Sequence, residues 1–187
     1  VVKKSNVIAN DLRDIARNSI GENSQIAVLE IKSLIDIIEL LESQLRIYKQ
    51  KIEDLAFELN SPIFSFPGIG FTSGMTILSE INDIAQFSSH TKLIGFAGVD
   101  PSVYQSGEYE AQNCSISKRG SRYLRKVLYQ VALPVCKFNS TFNAYYTLKR
   151  SQGKSHRCAQ GHVVRKMLRV IYKLLSQNIP FEASSLT

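Results

Sequence analysis

The segment Tyr104-Gln105-Ser106-Gly107 sets a serine hydroxyl beside a glycine on a polar stretch of chain. With no side chain on the neighbour, the oxygen can come close to a backbone phosphate. Ten residues beyond Gly107, Ser117-Lys118-Arg119-Gly120 opens a basic run that continues through Arg122, Arg125 and Lys126. Lys and Arg at the start of a helix can neutralise the charge that builds on the non-bridging oxygens of a phosphate under attack. The spacing therefore permits phosphoryl transfer to Ser106, with Ser117 as a rival nucleophile in the same loop. It does not demand it. Serine in a loop is ordinarily a turn former, and Arg119 and Arg122 would then be plain phosphate clamps. Glu108 and Glu110 follow the serine and would repel nearby phosphates unless they face away or pair with Arg119 or Arg122.

A second candidate lies upstream. Pro67-Gly68-Ile69-Gly70, followed by Thr72 and Ser73, resembles the helix-hairpin-helix of DNA-binding proteins. Two glycines allow a tight turn that presents backbone N–H groups, and the following helix start adds partial positive charge, so a phosphate can dock without a basic side chain. The alternative is an ordinary interhelical turn with Ile69 as a core plug. Both readings stand at the level of sequence.

Charge separates the two halves of the chain. Residues 1–100 hold 9 Lys and Arg against 13 Asp and Glu, and residues 101–187 hold 14 against 3, so a net −4 precedes a net +11. Clustered cations displace counterions from phosphates, which makes the second half the nucleic-acid candidate, although a solvated basic face has the same composition. Cys114, Cys136 and Cys158 are widely separated and suggest reduced thiols rather than a disulfide framework. His156, Cys158 and His162 have ligand-type spacing without a fourth partner, so they read as a surface turn rather than a metal site. No run approaches the roughly 20 apolar residues of a membrane-spanning helix, and there is no secretory signal, so the chain reads as cytosolic. It opens Val1-Val2-Lys3-Lys4 without a methionine and is read as a fragment with an upstream partner.

The elements that must position these residues are helical. Apolar residues within 5–20 predict a short helix. From Ile31 the positions Leu34, Ile38, Leu41, Leu45, Tyr48, Ile52, Leu55 and Leu59 alternate steps of three and four, a heptad seam. A helix of those 29 residues would be about 43 Å long and calls for a partner helix, as a coiled coil or against another domain. Past Pro62, Thr72 is expected to cap a helix through Ile81, and Ser88 or Ser89 one through Phe96. Asp100-Pro101 opens a loop that runs to Gly120, and Ser121 caps a helix that Pro134 should kink or end. Ser140 or Thr141 begins another helix, residues 151–155 form a loop, and Val163–Leu175 is the last amphipathic helix. The expected fold is all-α: a short helix and connector at 1–23, a coiled-coil arm at 24–61, and a compact helical domain at 62–187.

The ordered motifs Pro67-Gly68-Ile69-Gly70, Phe87-Ser88-Ser89, Gly95-Phe96-Ala97-Gly98-Val99-Asp100-Pro101, Tyr104-Gln105-Ser106-Gly107, Ile116-Ser117-Lys118-Arg119-Gly120 and Leu124-Arg125 together resemble the C-terminal transposase domain of the insertion-sequence-110 family, the bridge-RNA-guided recombinases. The likeness extends to Arg165-Lys166-Met167, to Ile179-Pro180-Phe181, and to the heptad helix as a linking coiled coil. It implies a two-part active site in a bacterial, cytoplasmic enzyme. A RuvC-like domain outside this chain would hold Mg2+ on four acids, and this domain would supply Ser106 as the nucleophile joined to DNA. The same resemblance implies double-stranded DNA and a guide RNA as partners, with self-association through residues 31–59. Gly68, Ile69, Gly70, Thr72, Tyr104, Gln105, Gly107, Ser117, Lys118, Arg119, Arg122 and Arg125 become candidate nucleic-acid contacts. A noncatalytic helix-hairpin-helix module, dimerised by its coiled coil, is the alternative.

Overall fold

The computed structural model describes residues 11–18, 24–101, 105–106, 109–110 and 116–183, with backbone alone at the two central pairs. The fold is all-α apart from one small hairpin. The chain divides by its internal contacts into two units, Val1–Ile47 and Tyr48–Thr187.

In the first unit residues 11–17 are helical (α1), and a long helix, α2 (Gln25–Leu59), begins. Ser24 starts α2, its carbonyl accepting from the Val28 amide at 3.1 Å. The seam residues Ile31, Leu34, Ile38, Leu41 and Leu45 are all exposed.

The second unit contains the end of α2, where Ala56 is buried, and the helices α3 (Phe71–Ile81), α4 (His90–Ala97), α5 (Arg122–Phe138), α6 (Ser140–Ser151) and α7 (His156–Gln177), with short 3-10 turns at Pro62–Ser65 and Ile84–Gln86. Its core is one apolar cluster. Ile77 and Ile81 of α3, Leu93 of α4, Leu124, Leu128 and Val131 of α5, and Val164, Leu168 and Ile171 of α7 are almost wholly removed from water. At roughly 1.5–3 kcal/mol for each buried aliphatic side chain, this apolar face fixes which side of α5 and α7 looks inward. The polar residues between are thereby aimed at solvent.

Several helix ends differ from the sequence expectation, each for a local reason. Gly70, not Thr72, is the N-cap of α3: its carbonyl accepts from the Gly74 amide at 2.8 Å, and Thr72 lies inside the first turn. α7 begins at His156 rather than Val163, because the Ser155 hydroxyl accepts from the Cys158 amide at 3.3 Å and caps it. His156, Cys158 and His162 are accordingly helical and do not form a surface turn. α6 starts where expected, but its cap is Asn139, whose side chain accepts from both Thr141 and Phe142. Pro134 does not end α5, which continues to Phe138 with Val135 and Cys136 buried behind it. Proline lacks the amide for one helical bond, but the packed residues around it hold the last turn.

Candidate nucleic-acid interface

The loop bearing Ser106 leaves the helical unit after α4 and returns before α5, and its two feet are clamped together by backbone. Pro101 and Ile116 form an antiparallel bridge. Below it, the Ser117 amide donates to the Asp100 carbonyl at 2.9 Å, Lys118 to Gly98 at 3.0 Å, and Ser121 to Phe96 at 2.8 Å. Two glycines make this clamp possible. Gly98 ends α4 in the left-handed conformation, φ 63°, and a Cβ there would lie 2.3 Å from the Arg119 carbonyl oxygen. At Gly120, φ 105°, a Cβ would lie 2.1 Å from the Phe96 oxygen. No side chain fits at either crossing.

Above the feet, β1 (Gln105–Ser106) pairs with β2 (Tyr109–Glu110), with Ser106 opposite Tyr109 and Gln105 opposite Glu110. Ser106 therefore occupies the last paired position before the hairpin's turn. Tyr104, Gly107, Glu108 and Cys114 lie outside the described residues, as do the side chains of Gln105, Ser106 and Glu110. Ser117 lies among the described residues. Its hydroxyl donates to Asp100 Oδ1 at 2.5 Å, so this rival nucleophile serves as a strut between the feet.

Ser121 ties α5 to the rest of the unit. Its Oγ accepts from the Leu124 amide at 3.0 Å and donates to Glu80 Oε2 at 2.6 Å. A carboxylate near a helix N-terminus is also favoured by the helix dipole. The cations that follow divide by task. Arg125 Nη1 donates to the Ala97 carbonyl at 3.1 Å, locking α5 onto the end of α4. Arg122 lies over the Tyr123 ring, 4.7 Å from its centroid, and is exposed, as are Lys118 and Arg119.

Lys118, Arg122 and Arg125 face a cleft between α5 and α7. One lobe, about 410 Å³, is lined by Ile116, Lys118, Arg122, Arg125, Lys126, Tyr129, Gln130, Arg157 and Gln160. A second lobe, about 390 Å³, shares Ile116, Lys118, Tyr129 and Arg157 with the first and adds Pro101, Ser155, Cys158, Gly161 and Arg165. Both feet of the Ser106 loop, Pro101 and Ile116, thus belong to its wall. Six cations line the two lobes, and among the described residues no carboxylate does. Such a wall concentrates positive potential where low-dielectric protein surrounds it. Tyr129 lies in both lobes, with the Arg157 guanidinium 5.2 Å from its ring centroid. Burial raises its phenol above the ordinary value against the opposing pull of Arg157 and Arg165, so it stays protonated and can donate. Lys126 ends the basic run read from the sequence, whereas Tyr129, Arg157, Gln160 and Arg165 were not among the candidates from sequence. The spacing of Arg157 and Arg165, eight residues apart and so on one face of a helix, was the available signal once α7 is started at Ser155.

The Pro67-Gly68-Ile69-Gly70 segment lies elsewhere. Gly68, φ 95°, presses on α5 so closely that a Cβ would sit 2.6 Å from Val135 Cα. Ile69 is 6% exposed and is part of the core. Gly70 and Thr72 at the start of α3 are both exposed, with open space where a Gly70 Cβ would point. Val135 and Arg125 are ten residues apart along α5, or about 15 Å. The glycine turn and the cationic cleft are therefore at opposite ends of one helix.

On α7, His162 Nδ1 is 3.0 Å from Arg165 Nη2. Burial, then the charges of Arg165, Lys149 and Lys154, hold its imidazole below the ordinary value, so Nδ1 is the unprotonated acceptor of the guanidinium. Among the described residues no three His, Cys, Asp or Glu side chains gather where a metal ion could be held, and no helix is long and apolar enough to cross a membrane.

Residues 60–147 match the Transposase IS116/IS110/IS902 family. That stretch contains α3 to α5, the clamped loop and most of α6. Among curated proteins, the insertion element IS900 42 kDa protein of Mycobacterium paratuberculosis is 30% identical over 67% of this chain and 31% of its own length. The pilin gene-inverting protein of Moraxella bovis is 30% identical over 67% of this chain and 40% of its own. The insertion element IS110 43.6 kDa protein of Streptomyces coelicolor is 23% identical over 82% of this chain and 38% of its own. The chain spans between about three and four tenths of the length of these relatives. A matching core that includes both feet of the clamped loop, together with several insertion-element relatives, places this chain in the IS110 family of transposases, as the bearer of its transposase domain.

Proposed function

We propose that this domain cuts and rejoins DNA through a covalent link between Ser106 and a strand end. The observation that carries the reading is that Pro101 and Ile116, the feet of the loop bearing Ser106, line a cleft whose charged residues, among the described residues, are all cationic. A phosphate held there by Lys118 and Arg122, with Arg125 as a braced neighbour, lies beside the loop's base, and the exposed Arg119 is the remaining expected phosphate contact, outside the cleft lining. The named activity of the Moraxella relative, inversion of a pilin gene, is a rearrangement in which strands are cut and resealed.

The chemistry balances without an external energy source. Ser106 Oγ forms a bond to phosphorus, the bond from phosphorus to a sugar oxygen breaks, and the serine proton passes to a base as the leaving oxygen gains one. The phosphoserine ester retains the energy of the diester, so a new strand's hydroxyl can displace the serine by the reverse route. Cations on the non-bridging oxygens lower the barrier in both directions.

The described residues offer no set of donors for a metal. The Mg2+ that the family resemblance implies would be held by a RuvC-like domain outside this chain. The same resemblance suggests a guide RNA as partner. Self-association through residues 31–59 is supported by the exposed seam Ile31, Leu34, Ile38, Leu41 and Leu45. The noncatalytic helix-hairpin-helix reading loses support from Gly68 and Ile69, which are taken up in packing. In the intact protein, Ser106→Ala should abolish covalent protein–DNA adducts and leave DNA binding within about twofold; adducts at wild-type level would remove Ser106 from the mechanism.

A further inference from the structure

Strand transfer by Ser106 uses the α5 side of the cleft and gives the α7 side no task. That side is built with some care. Arg157 and Arg165 share a face of α7, and Gln160, only 8% exposed, joins Arg157 in the first lobe while Arg165 lines the second. Gly161 has no side chain at the point where one would lie 2.9 Å from the Tyr129 hydroxyl. The phenol is thus let in against α7 while its ring carries Arg157. Ser155 starts α7 at the same lobe, adding the partial positive charge of a 22-residue helix.

The size of the cleft selects its occupant. A lobe of about 410 Å³ is on the scale of a small-molecule site and matches a nucleotide unit rather than a double helix. A duplex, whose major groove alone is about 12 Å wide, could lie across the mouth and meet the exposed Lys118, Arg119 and Arg122. Its bases are paired and stacked, so it offers no free base face to half-buried Tyr129. A single strand does, and a cationic groove with an aromatic side chain at its floor is how unpaired strands are commonly held.

We propose that the α5–α7 cleft is a subsite for an unpaired nucleic-acid strand, with Arg157 and Arg165 on its phosphates and with Tyr129 and Gln160 meeting the sugar or base between them. This rests on the reading that the domain works on nucleic acid, but not on the identity of the nucleophile. DNA and RNA strands share the diester chemistry, and the test separates them.

The test is binding of labelled DNA single strands of about 12 nucleotides, a length within the usual single-strand site range, RNA of the same sequence, and the corresponding DNA duplex. Each is titrated with the full chain and followed by fluorescence anisotropy over a range of salt. Arg157→Gln with Arg165→Gln should weaken single-strand binding at least about tenfold and lower the salt slope by about 1.4, the value for two phosphates on a single strand. Duplex binding should change by less than about twofold. Tyr129→Phe, which removes one oxygen and keeps the ring, should weaken single-strand binding about fivefold, and Lys137→Gln, away from the cleft, should change nothing. Tighter RNA than DNA binding assigns the subsite to an RNA strand, and the reverse to a DNA strand. Equal loss for strand and duplex, or no loss for either, overturns the subsite while leaving the serine mechanism to its adduct assay. Absence of any nucleic-acid binding by the unaltered chain would overturn the subsite and the proposed function together.

Discussion

Ser117 donates its hydroxyl to Asp100 Oδ1 at 2.5 Å, joining the two feet of the loop that carries Ser106. The contact turns a chemically plausible nucleophile into a structural one. A part-buried hydrogen bond to a carboxylate contributes about 1–2 kcal/mol, so Ser117→Ala should lower the melting midpoint by a few degrees. Adduct formation by the intact protein should persist. Asp100→Asn keeps an acceptor and should cost less than Ser117→Ala; equal or greater loss would show that the bond is not the source of the effect. Calorimetry of both variants checks the order.

The crossing at Gly98 sets it apart from its neighbour Gly95, and substitution of the two should have opposite outcomes. Gly98→Ala puts a methyl group against the Arg119 oxygen at a positive φ and should cost about 2–4 kcal/mol. Gly95 lies within α4, and a methyl group added there would meet nothing within 4 Å, so Gly95→Ala should stabilise by about 0.5–1 kcal/mol. Denaturant midpoints of the pair would refute the clamp if Gly98→Ala were neutral.

The exposed seam on α2 predicts self-association. Leu41→Glu with Leu45→Glu places charge at two seam positions and should reduce the sedimenting mass of the chain to that of a monomer. Because both residues are exposed in the single chain, the melting of the second unit should be unchanged. A wild-type chain that already sediments as a monomer would contradict the seam's proposed role.

His162 gives the stability of α7 a pH dependence. Its imidazole is held below the ordinary value of 6.5 by burial and by Arg165, Lys149 and Lys154, so between the folded and unfolded values the unfolded chain binds the extra proton. Stability should therefore be flat above that ordinary value and fall as pH drops through it toward the folded value. His162→Gln should make the acid limb shallower in urea titrations from about pH 8 to about pH 5, a range that brackets the ordinary imidazole value. An identical acid limb would show that His162 does not contribute to it.

Much of the fold is legible in the sequence because apolar periodicity is strong in α2, in α5 and in the second half of α7. The start of α7 is not. Its first turns bury Ala159, Gln160 and Gly161 rather than long aliphatic side chains, so the periodicity that marks a helix is faint there. With that start go Arg157 and Gln160, and hence one wall of the cleft. The α3 cap misleads because Thr72 has the side chain of a cap, whereas the cap position is taken by Gly70, which makes no side-chain bond. At the candidate site, the basic run 118–125 can be read directly. That Arg125 braces α4, that Ser117 braces Asp100 and that Gly68 abuts Val135 are matters of tertiary approach, which spacing along the chain does not encode.

The most direct measurement of the central claim is the site of attachment in the covalent complex. Adducts of the intact protein with a cleavable DNA, trapped by denaturation, digested with nuclease and protease and sequenced by mass spectrometry, should carry the nucleotide remnant on Ser106. A remnant on Ser117, on a tyrosine, or on no residue of this chain would contradict it.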